Sequence, residues 1–360
     1  MIIGSVSENK EIEKRISITP EIAKKYVSNG FSVLIEDNFG MHIGISNKEF
    51  IDAGCKVDTR ENILKTSDIL LQLNLPEPKD TELIQKEKII IGNFNSSNNK
   101  NSLEKIKSKI SIFSMELLPR ITRAQSMDIL SSQANLAGYK AVIDSFAMFK
   151  KAIPMMMTAA GTISAAKVLV VGAGVAGLQA IATAKRMGAI VFATDVRIAS
   201  KEQVESLGGK FLLVEGAENL ETEGGYAKEA SDDFKKKQEE LLTETLKKID
   251  VVICTALIPG KKAPRIISEE MISNMQAGSV IYDLAASQGG NAAYTVADEL
   301  IEKNGITIYG ESTILNKLPI SASNLYSKNL FNFVINLYDK ENKKIKLNME
   351  DEIISKTLIN

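Results

Sequence analysis

The sequence predicts an α/β protein with two doubly wound parallel-sheet domains, the first of them discontinuous, joined by long helices. Three observations predict it. The chain has 360 residues, more than one ordinary hydrophobic core organises. Short β-rich runs alternate with helical patterns along most of its length. One glycine-rich turn, "VVGAGVAG", stands between a strand-like run and a helix-like run.

The elements follow in order. "IIGSV" and "FSVLIED" read as strands and "TPEIAKKYVSNG" between them as a helix, with Thr19 as N-cap, Pro20 in the first turn and Gly30 as stop. "DILLQLN", "KIIIGNF" and "SIFSMEL" are further strands, spaced widely enough for helical crossovers, and "NSSNNKNS" is a polar loop. From Asp128 to Lys151 the pattern is helical, with Leu130, Leu136, Ala137, Val142, Phe146 and Phe149 available for burial. A second α/β run follows, with strands "KVLVVG", "AIVFATD", "KFLLVE", "DVVICTAL", "SVIYDLA" and "ITIYGES". The helical "ASNLYSKNLFNFVINLY" is expected to return the chain to the first domain, giving residues 1–130 plus 320–360 as one domain and 131–319 as the other.

Composition removes several classes of function. Hydrophobic content is 44%, charged content 25% and formal net charge -1, so a strong footprint for nucleic acid or anionic membrane is absent. Cys55 and Cys254 are far apart and outside any CxxC, and read as small buried hydrophobes. No cleavable signal is expected, because "MIIGSVSENKEIEKR" soon turns polar. The apolar stretch Val168 to Ala184 holds three glycines and reads as strand–turn–helix, not as a membrane span.

That stretch carries Gly172, Gly174 and Gly177 in G-x-G-x-x-G spacing, and Asp195 ends the next strand 18 positions after Gly177. Gly172 suits the tight turn, Gly174 lets a pyrophosphate approach the backbone, and Gly177 lets helix and strand pack closely. The helix N-terminus adds N–H groups and the positive end of its dipole. This is the fingerprint of a Rossmann-like dinucleotide site. Asp195 can accept from both ribose hydroxyls and repel a 2′-phosphate, favouring NAD, while Arg197 two positions on pulls toward NADP.

The sequence also lacks something. Dehydrogenases that oxidise alcohols or amino acids move a proton alongside the hydride, usually through histidine. The single histidine, His42 in "GMHIGIS", reads as a loop residue, and no cluster of His, Cys and carboxylates has metal-ligand spacing. A redox partner that needs no proton transfer, such as a second nicotinamide, fits this poverty. Upstream of the fingerprint, "LPRITRAQSMDILSSQANLAGY" crowds hydrogen-bonding side chains, which alone is compatible with a helix N-cap. "EGAENLETEGGYAKEASDDFKKKQ" is long, charged and broken by paired glycines, either a solvated insertion or a functional loop.

The segments "PRITRAQSMDILSSQANLAGYKAVIDS", "PMMMTAAGT", "GAGVAGLQAIATAKRMGAIVFATDVR", "KEQVESLGGKF", "GGYAKE" and "TALIPGKKAP" resemble the NAD(H)-binding domain of proton-translocating NAD(P) transhydrogenase, densely from Leu118 to Ala285. "EKRISITPE" is similar both to that family and to its relative, alanine dehydrogenase. The resemblance implies a separate alpha subunit that binds NAD(H) and passes hydride to NADP(H) on a beta subunit. A membrane-spanning subunit then couples the transfer to proton movement. It implies a homodimer, cytoplasmic and held peripherally at the inner membrane by its partners. It implies that Arg120 and Asp128 hold the nicotinamide carboxamide with Ser131 nearby. Gln125 then reaches toward the partner's NADP(H), and Tyr226 belongs to a loop that closes over NAD(H). Further implied contacts are Val175, Asp195, Val196, Arg197, Gly225, Gln238 and Leu257.

Two alternatives stand beside this reading. In an alanine-dehydrogenase-like enzyme Arg15 would take the substrate carboxylate. That family's catalytic lysine, however, is replaced here by Asn74 in "LQLNLPEP", and "GNFNSSNN" offers no histidine. A non-catalytic NAD-binding module is the other.

Overall fold

A computed structural model describes residues 1–214, 231–257 and 261–359. The chain divides into two compact units, Met1–Gln133 with Leu318–Asn360, and Ala134–Lys317. Among the described residues no helix is long and apolar enough to cross a membrane.

The first unit is built on β1 (Ile2–Ser5), β2 (Ser32–Glu36), β3 (Lys56–Asp58), β4 (Ile69–Leu71), β5 (Ile89–Gly92) and β6 (Ser111–Ser114), in the order β3-β2-β1-β4-β5-β6. Every neighbouring pair is parallel. A parallel sheet must be covered on both faces, so its strands are apolar at consecutive positions. Successive side chains then alternate between two cores. Ile3, Val33, Ile35, Ile69, Leu71 and Ile91 enter one, with Tyr26 and Phe333. Leu34, Leu70, Ile90 and Ile112 enter the other, with Ile63, Leu64 and Leu103.

Helix α1 (Pro20–Ser28) has Pro20 in its first turn, and Gly30 follows its C-cap with φ of 87°, a conformation that glycine adopts without strain. Thr19 occupies the N-cap position, but its hydroxyl meets that of Ser327 instead of a helix N–H. Helix α2 (Ile129–Met148) then carries the chain from the first unit into the second. In its second half Val142 and Phe146 are buried, as is Phe149 just beyond it.

The second unit opens with a hairpin, β7 (Met156–Thr158) and β8 (Gly161–Ile163). Its main sheet holds β9 (Lys167–Val171), β10 (Ile190–Thr194), β11 (Lys210–Phe211), β12 (Val251–Cys254), β13 (Val280–Asp283), β14 (Leu300–Lys303) and β15 (Ile306–Gly310). The order is β11-β10-β9-β12-β13-β15-β14, parallel except for β14 against β15. Helix α3 (Val175–Arg186) follows β9, and α4 (Asp232–Leu246) precedes β12. Val168, Val170, Val191 and Ile253 face one core, and Leu169, Val171, Val252 and Cys254 the other. The expected architecture of two doubly wound sheets is therefore present. The strand expected from "KFLLVE" pairs only at Lys210 and Phe211, and β14, β3 and the hairpin are additions.

The chain returns to the first unit as α5 (Pro319–Leu337) and α6 (Glu352–Thr357). Tyr326, Leu330, Phe333, Val334 and Leu337 of α5 and Ile353 and Ile354 of α6 complete the core that holds Tyr26. Cys55 and Cys254 are buried and free, and burial pushes the Cys55 thiol up to about 12.

Tyr26 is fully buried against Phe31 and Phe331, and its hydroxyl has no hydrogen-bond partner among the described residues. A buried unsatisfied hydroxyl carries its desolvation cost with nothing to offset it. Tyr26→Phe is expected to leave the protein as stable as before or more stable by about 1 kcal/mol. Denaturant titration measures this, and a loss of stability would contradict it.

Candidate functional site

Two groups of residues stand out, one in each unit. In the first, the chain leaves β6 and forms a 3-10 segment, Thr122–Met127, before α2 begins at Ile129. Ala124 and Met127, three apart and so on one side of a 3-10 turn, are buried in the core, while Thr122, Gln125 and Ser126 are exposed. Asp128 precedes the helix as its N-cap. Its carboxylate accepts from the Ser131 backbone N–H at 2.9 Å and from the Ser131 hydroxyl at 2.5 Å.

These residues surround a pocket of about 280 Å³ lined by Pro119, Arg120, Ile121, Thr122, Ala124, Gln125, Asp128 and Ser131. The volume is at the lower end of ligand sites, room for one ring and its substituent but not a whole dinucleotide. The lining supplies a guanidinium, an amide and a carboxylate within one short stretch. A carboxylate has about four acceptor positions, so the two Ser131 contacts leave Asp128 able to accept from a ligand N–H. The Arg120 guanidinium supplies donors only. A primary carboxamide, with one acceptor oxygen and two N–H donors, complements that pair.

Elsewhere in this unit the crevice at the carboxyl ends of β1 and β4, where the strand order reverses, is the usual ligand position for such a sheet. Here the chain's own Glu8 takes it, accepting from the backbone N–H groups of Leu73 at 2.8 Å and Asn74 at 3.2 Å. Burial raises the Glu8 pKa, and those bonds oppose the rise only in part. Arg15 is held by Glu13 through Nε at 2.8 Å and Nη2 at 2.6 Å, and by Gln133 through Nη1 at 2.9 Å. Burial works against its charge, but Glu13, with Tyr326 and Glu8 adding to it, raises its pKa. Asn74 donates to Glu8 at 3.3 Å, and exposed His42 bonds the Lys14 carbonyl at 2.8 Å.

The second group is the glycine turn between β9 and α3. Gly172 has φ of 93°, and a Cβ there would lie 2.9 Å from Thr255 Oγ1 and 3.0 Å from Ala256 N. A Cβ on Gly177 would lie 1.8 Å from the Gly172 carbonyl oxygen, so both glycines are required by the protein's own packing. Gly174 is different. Its backbone is extended, and among the described residues an added Cβ would meet nothing closer than Arg197 Nη2 at 3.9 Å. Among the described residues the space over Gly174 is therefore open, and no side chain caps α3 there. An uncapped helix N-terminus above an open glycine is the arrangement that accepts a phosphate. The neighbouring residue Val175 is exposed, as is Leu257 after β12.

Asp195 and Arg197 close one side of this turn. Asp195 Oδ2 accepts from the Ala173 backbone N–H at 2.7 Å and Arg197 Nη2 at 2.8 Å, and Oδ1 from Arg197 N at 2.8 Å and Nε at 2.9 Å. The carboxylate thus pins the glycine turn to the end of β10 while Arg197 covers its outer side. Val196 between them is half-buried, and Gln238 lies half-buried on α4. Gly225 and Tyr226 lie outside the described residues, as does most of the charged loop around them.

Sequence reasoning missed the supports of this turn. Thr255 donates its hydroxyl to the Gly172 carbonyl at 2.8 Å. Asn291 accepts from Ala256 N at 3.0 Å and donates to the carbonyls of Ala256 and Pro264 at 2.8 and 2.9 Å. Asp283, fully buried, accepts from the N–H groups of Ala285, Asn291 and Ala292 and from the Thr295 hydroxyl. The paired glycines of "QGGNAAY" are a visible sign of a tight support there.

Comparison with known proteins agrees with this layout. The family model for the alanine dehydrogenase/PNT N-terminal domain matches residues 4–137, and that for the C-terminal domain matches residues 141–360. The chain is 46% identical to the first of the chains that make up NAD(P) transhydrogenase subunit alpha in Rhodospirillum rubrum, covering 100% of this chain and 96% of that one. It is 44% identical to the protein of the same name from Rickettsia prowazekii, covering 100% and 94%. The crystal structure of transhydrogenase from Sinorhizobium meliloti superposes with a TM-score of 0.89 at 42% identity, covering 100% and 98%.

The glycine geometry makes a prediction about stability. Gly177→Ala is expected to destabilise by about 2 kcal/mol or more, the order of magnitude for overpacking. Gly174→Ala is expected to stay within about 0.5 kcal/mol of the parent, as an unconstrained substitution does. Thermal or denaturant unfolding separates the two, and equal losses would contradict it. Two matched domain models and high identity along the whole chain then give the family: the chain belongs to the alanine dehydrogenase/PNT family, among its NAD(P) transhydrogenase alpha subunits.

Proposed function

We propose that this chain is the NAD(H)-binding subunit of a proton-translocating NAD(P) transhydrogenase. The observation that carries the reading is the pocket that groups Arg120, Gln125, Asp128 and Ser131 in a chain whose one histidine is bonded to a surface carbonyl. Such a pocket offers hydrogen bonds that orient a ligand and no histidine to exchange a proton with it. Bound NADH supplies a hydride, which leaves C4 of its nicotinamide with the bonding electron pair and joins C4 of an NADP⁺ held by a beta subunit. Arg120 and Asp128 hold the carboxamide and fix which face of the ring is presented. Ser131 keeps the Asp128 carboxylate aimed through its 2.5 Å hydrogen bond. Exposed Gln125 can donate and accept at once, and reaches the partner's nucleotide. The open backbone at Gly174 and the first N–H groups of α3 take the pyrophosphate, with Val175, Val196, Gln238 and Leu257 as further contacts. Asp195 takes the adenosine ribose once Arg197 yields, and Gly225 and Tyr226 belong to the loop that covers the cofactor. The full assembly adds a membrane-spanning subunit that couples hydride transfer to proton movement. This chain stays on the cytoplasmic side, peripheral to the inner membrane.

The subunit is further proposed to be a homodimer. The hairpin strands of "PMMMTAAGTIS" are exposed and uncharged, with Met157 80% exposed. A two-stranded hairpin is marginal alone, and an apolar one in water invites a partner strand. A second copy of the chain, bringing the same uncharged hairpin, is the occupant that complements it.

Two measurements test these statements. With the beta and membrane subunits present, Gln125→Asn is expected to slow hydride transfer from NADH to an NADP⁺ analogue by about tenfold or more, as misplacement of reacting groups does. NADH affinity of the isolated chain should stay within about threefold, a difference below about 1 kcal/mol. No transfer by the parent assembly, or an unaffected variant, would overturn the reading. Met157→Asp is expected to shift the chain from dimer to monomer in sedimentation velocity, and an unchanged dimer would remove the hairpin from the interface.

A further inference from the structure

The 3-10 segment that carries Gln125 is short and largely solvent-facing, so something must fix it. The fixing side chains come from α5, which returns to this unit from the far end of the chain. Asn329, Asn332 and Asn336 are spaced i, i+3 and i+7 and so share one helix face. Asn329 and Asn332 each donate through Nδ2 to the Ser126 carbonyl at 2.9 Å, filling both of its lone pairs. Asn329 Oδ1 also accepts from the Ser132 hydroxyl at 2.7 Å. One buried amide thereby holds the backbone before Asp128 and the helix after it. At the other end of the segment Arg123 reaches Asp351, the N-cap of α6, at 2.5 and 3.0 Å, and meets Asn336 Oδ1 at 3.4 Å. Asn336 Nδ2 reaches the same carboxylate at 3.4 Å.

Taking the pocket as the nicotinamide site described above, we infer that Asn329 and Asn332 are positioning residues for hydride transfer. By clamping the Ser126 carbonyl they set the peptide next to Gln125 and the Asp128 cap, and so fix where the pocket presents its ligand. Neither side chain lines the pocket. The apolar anchors Ala124 and Met127 keep the segment attached without them, so the asparagines set its register and not its existence.

The test uses the complete assembly with Asn332→Asp, which exchanges a donor for an acceptor of the same shape, and the double variant Asn329→Asp with Asn332→Asp. Asn332 is half-buried and its single variant remains measurable if the double variant does not fold. Single-turnover hydride transfer to an NADP⁺ analogue is expected to fall about tenfold to a hundredfold in the double variant, the loss that follows displacement of a reacting group by roughly an ångström. The primary deuterium isotope effect with C4-deuterated NADH is expected to rise, because the transfer itself becomes limiting. The NADH dissociation constant should move less than about threefold. A merely structural role would lower the melting temperature and leave both the rate and the isotope effect of the folded fraction unchanged, and that result overturns the inference. Gln125→Asn, run in parallel, separates the two failures. If it slows transfer and the asparagine variants do not, only the clamp is wrong. If none of them slows transfer, the reading of the pocket is wrong as well.

Discussion

One of the two cores of the first unit is completed by the segment 318–360 that comes back to it. Seven of the buried residues of that core, from Tyr326 to Ile354, belong to α5 and α6. The returning chain also covers the edge of the sheet. Leu358 bridges Phe113 on β6, and the Ile359 N–H donates to the Ile112 carbonyl at 2.8 Å. An uncovered edge strand is an opening for foreign strands. The core that anchors Ala124 and Met127, and with it the pocket segment, is thus completed by residues 318–360. The same helix that supplies the apolar closure presents the asparagine face.

Much of this architecture is legible in the sequence, because parallel strands buried on both faces leave consecutive apolar runs such as "DILLQLN" and "KIIIGNF". The glycine turn is legible for a similar reason: Gly172 and Gly177 answer to steric demands that no other residue meets. The hairpin at Met156–Ile163 is not, since its side chains are exposed and its pattern has no buried face to reveal it. The asparagine row of α5 stands in plain view at i, i+3 and i+7, yet its partner is a backbone carbonyl about two hundred residues away in sequence. Long-range polar pairing leaves no periodic signal at its other end.

The stretch around Asp128 shows why a cap and a ligand group are hard to tell apart from sequence. The carboxylate does cap α2, and it also lines the pocket. The cap uses one oxygen for the helix N–H and holds the other against the Ser131 hydroxyl. A side chain that must stay rigid to serve a ligand is well placed at a helix start, where the backbone already fixes it. The two roles are one geometry seen from the helix side and from the solvent side.

Arg197 lies over Asp195 with all four acceptor positions of that carboxylate engaged by the chain itself. Any diol that Asp195 is to bind must therefore displace a tethered cation instead of water. A tethered competitor is present at an effective concentration that does not fall when the solution is diluted. If Asp195 binds a ribose as proposed, Arg197 would compete with that ligand for the carboxylate. That competition is built into Asp195 and Arg197, the first and third residues after β10.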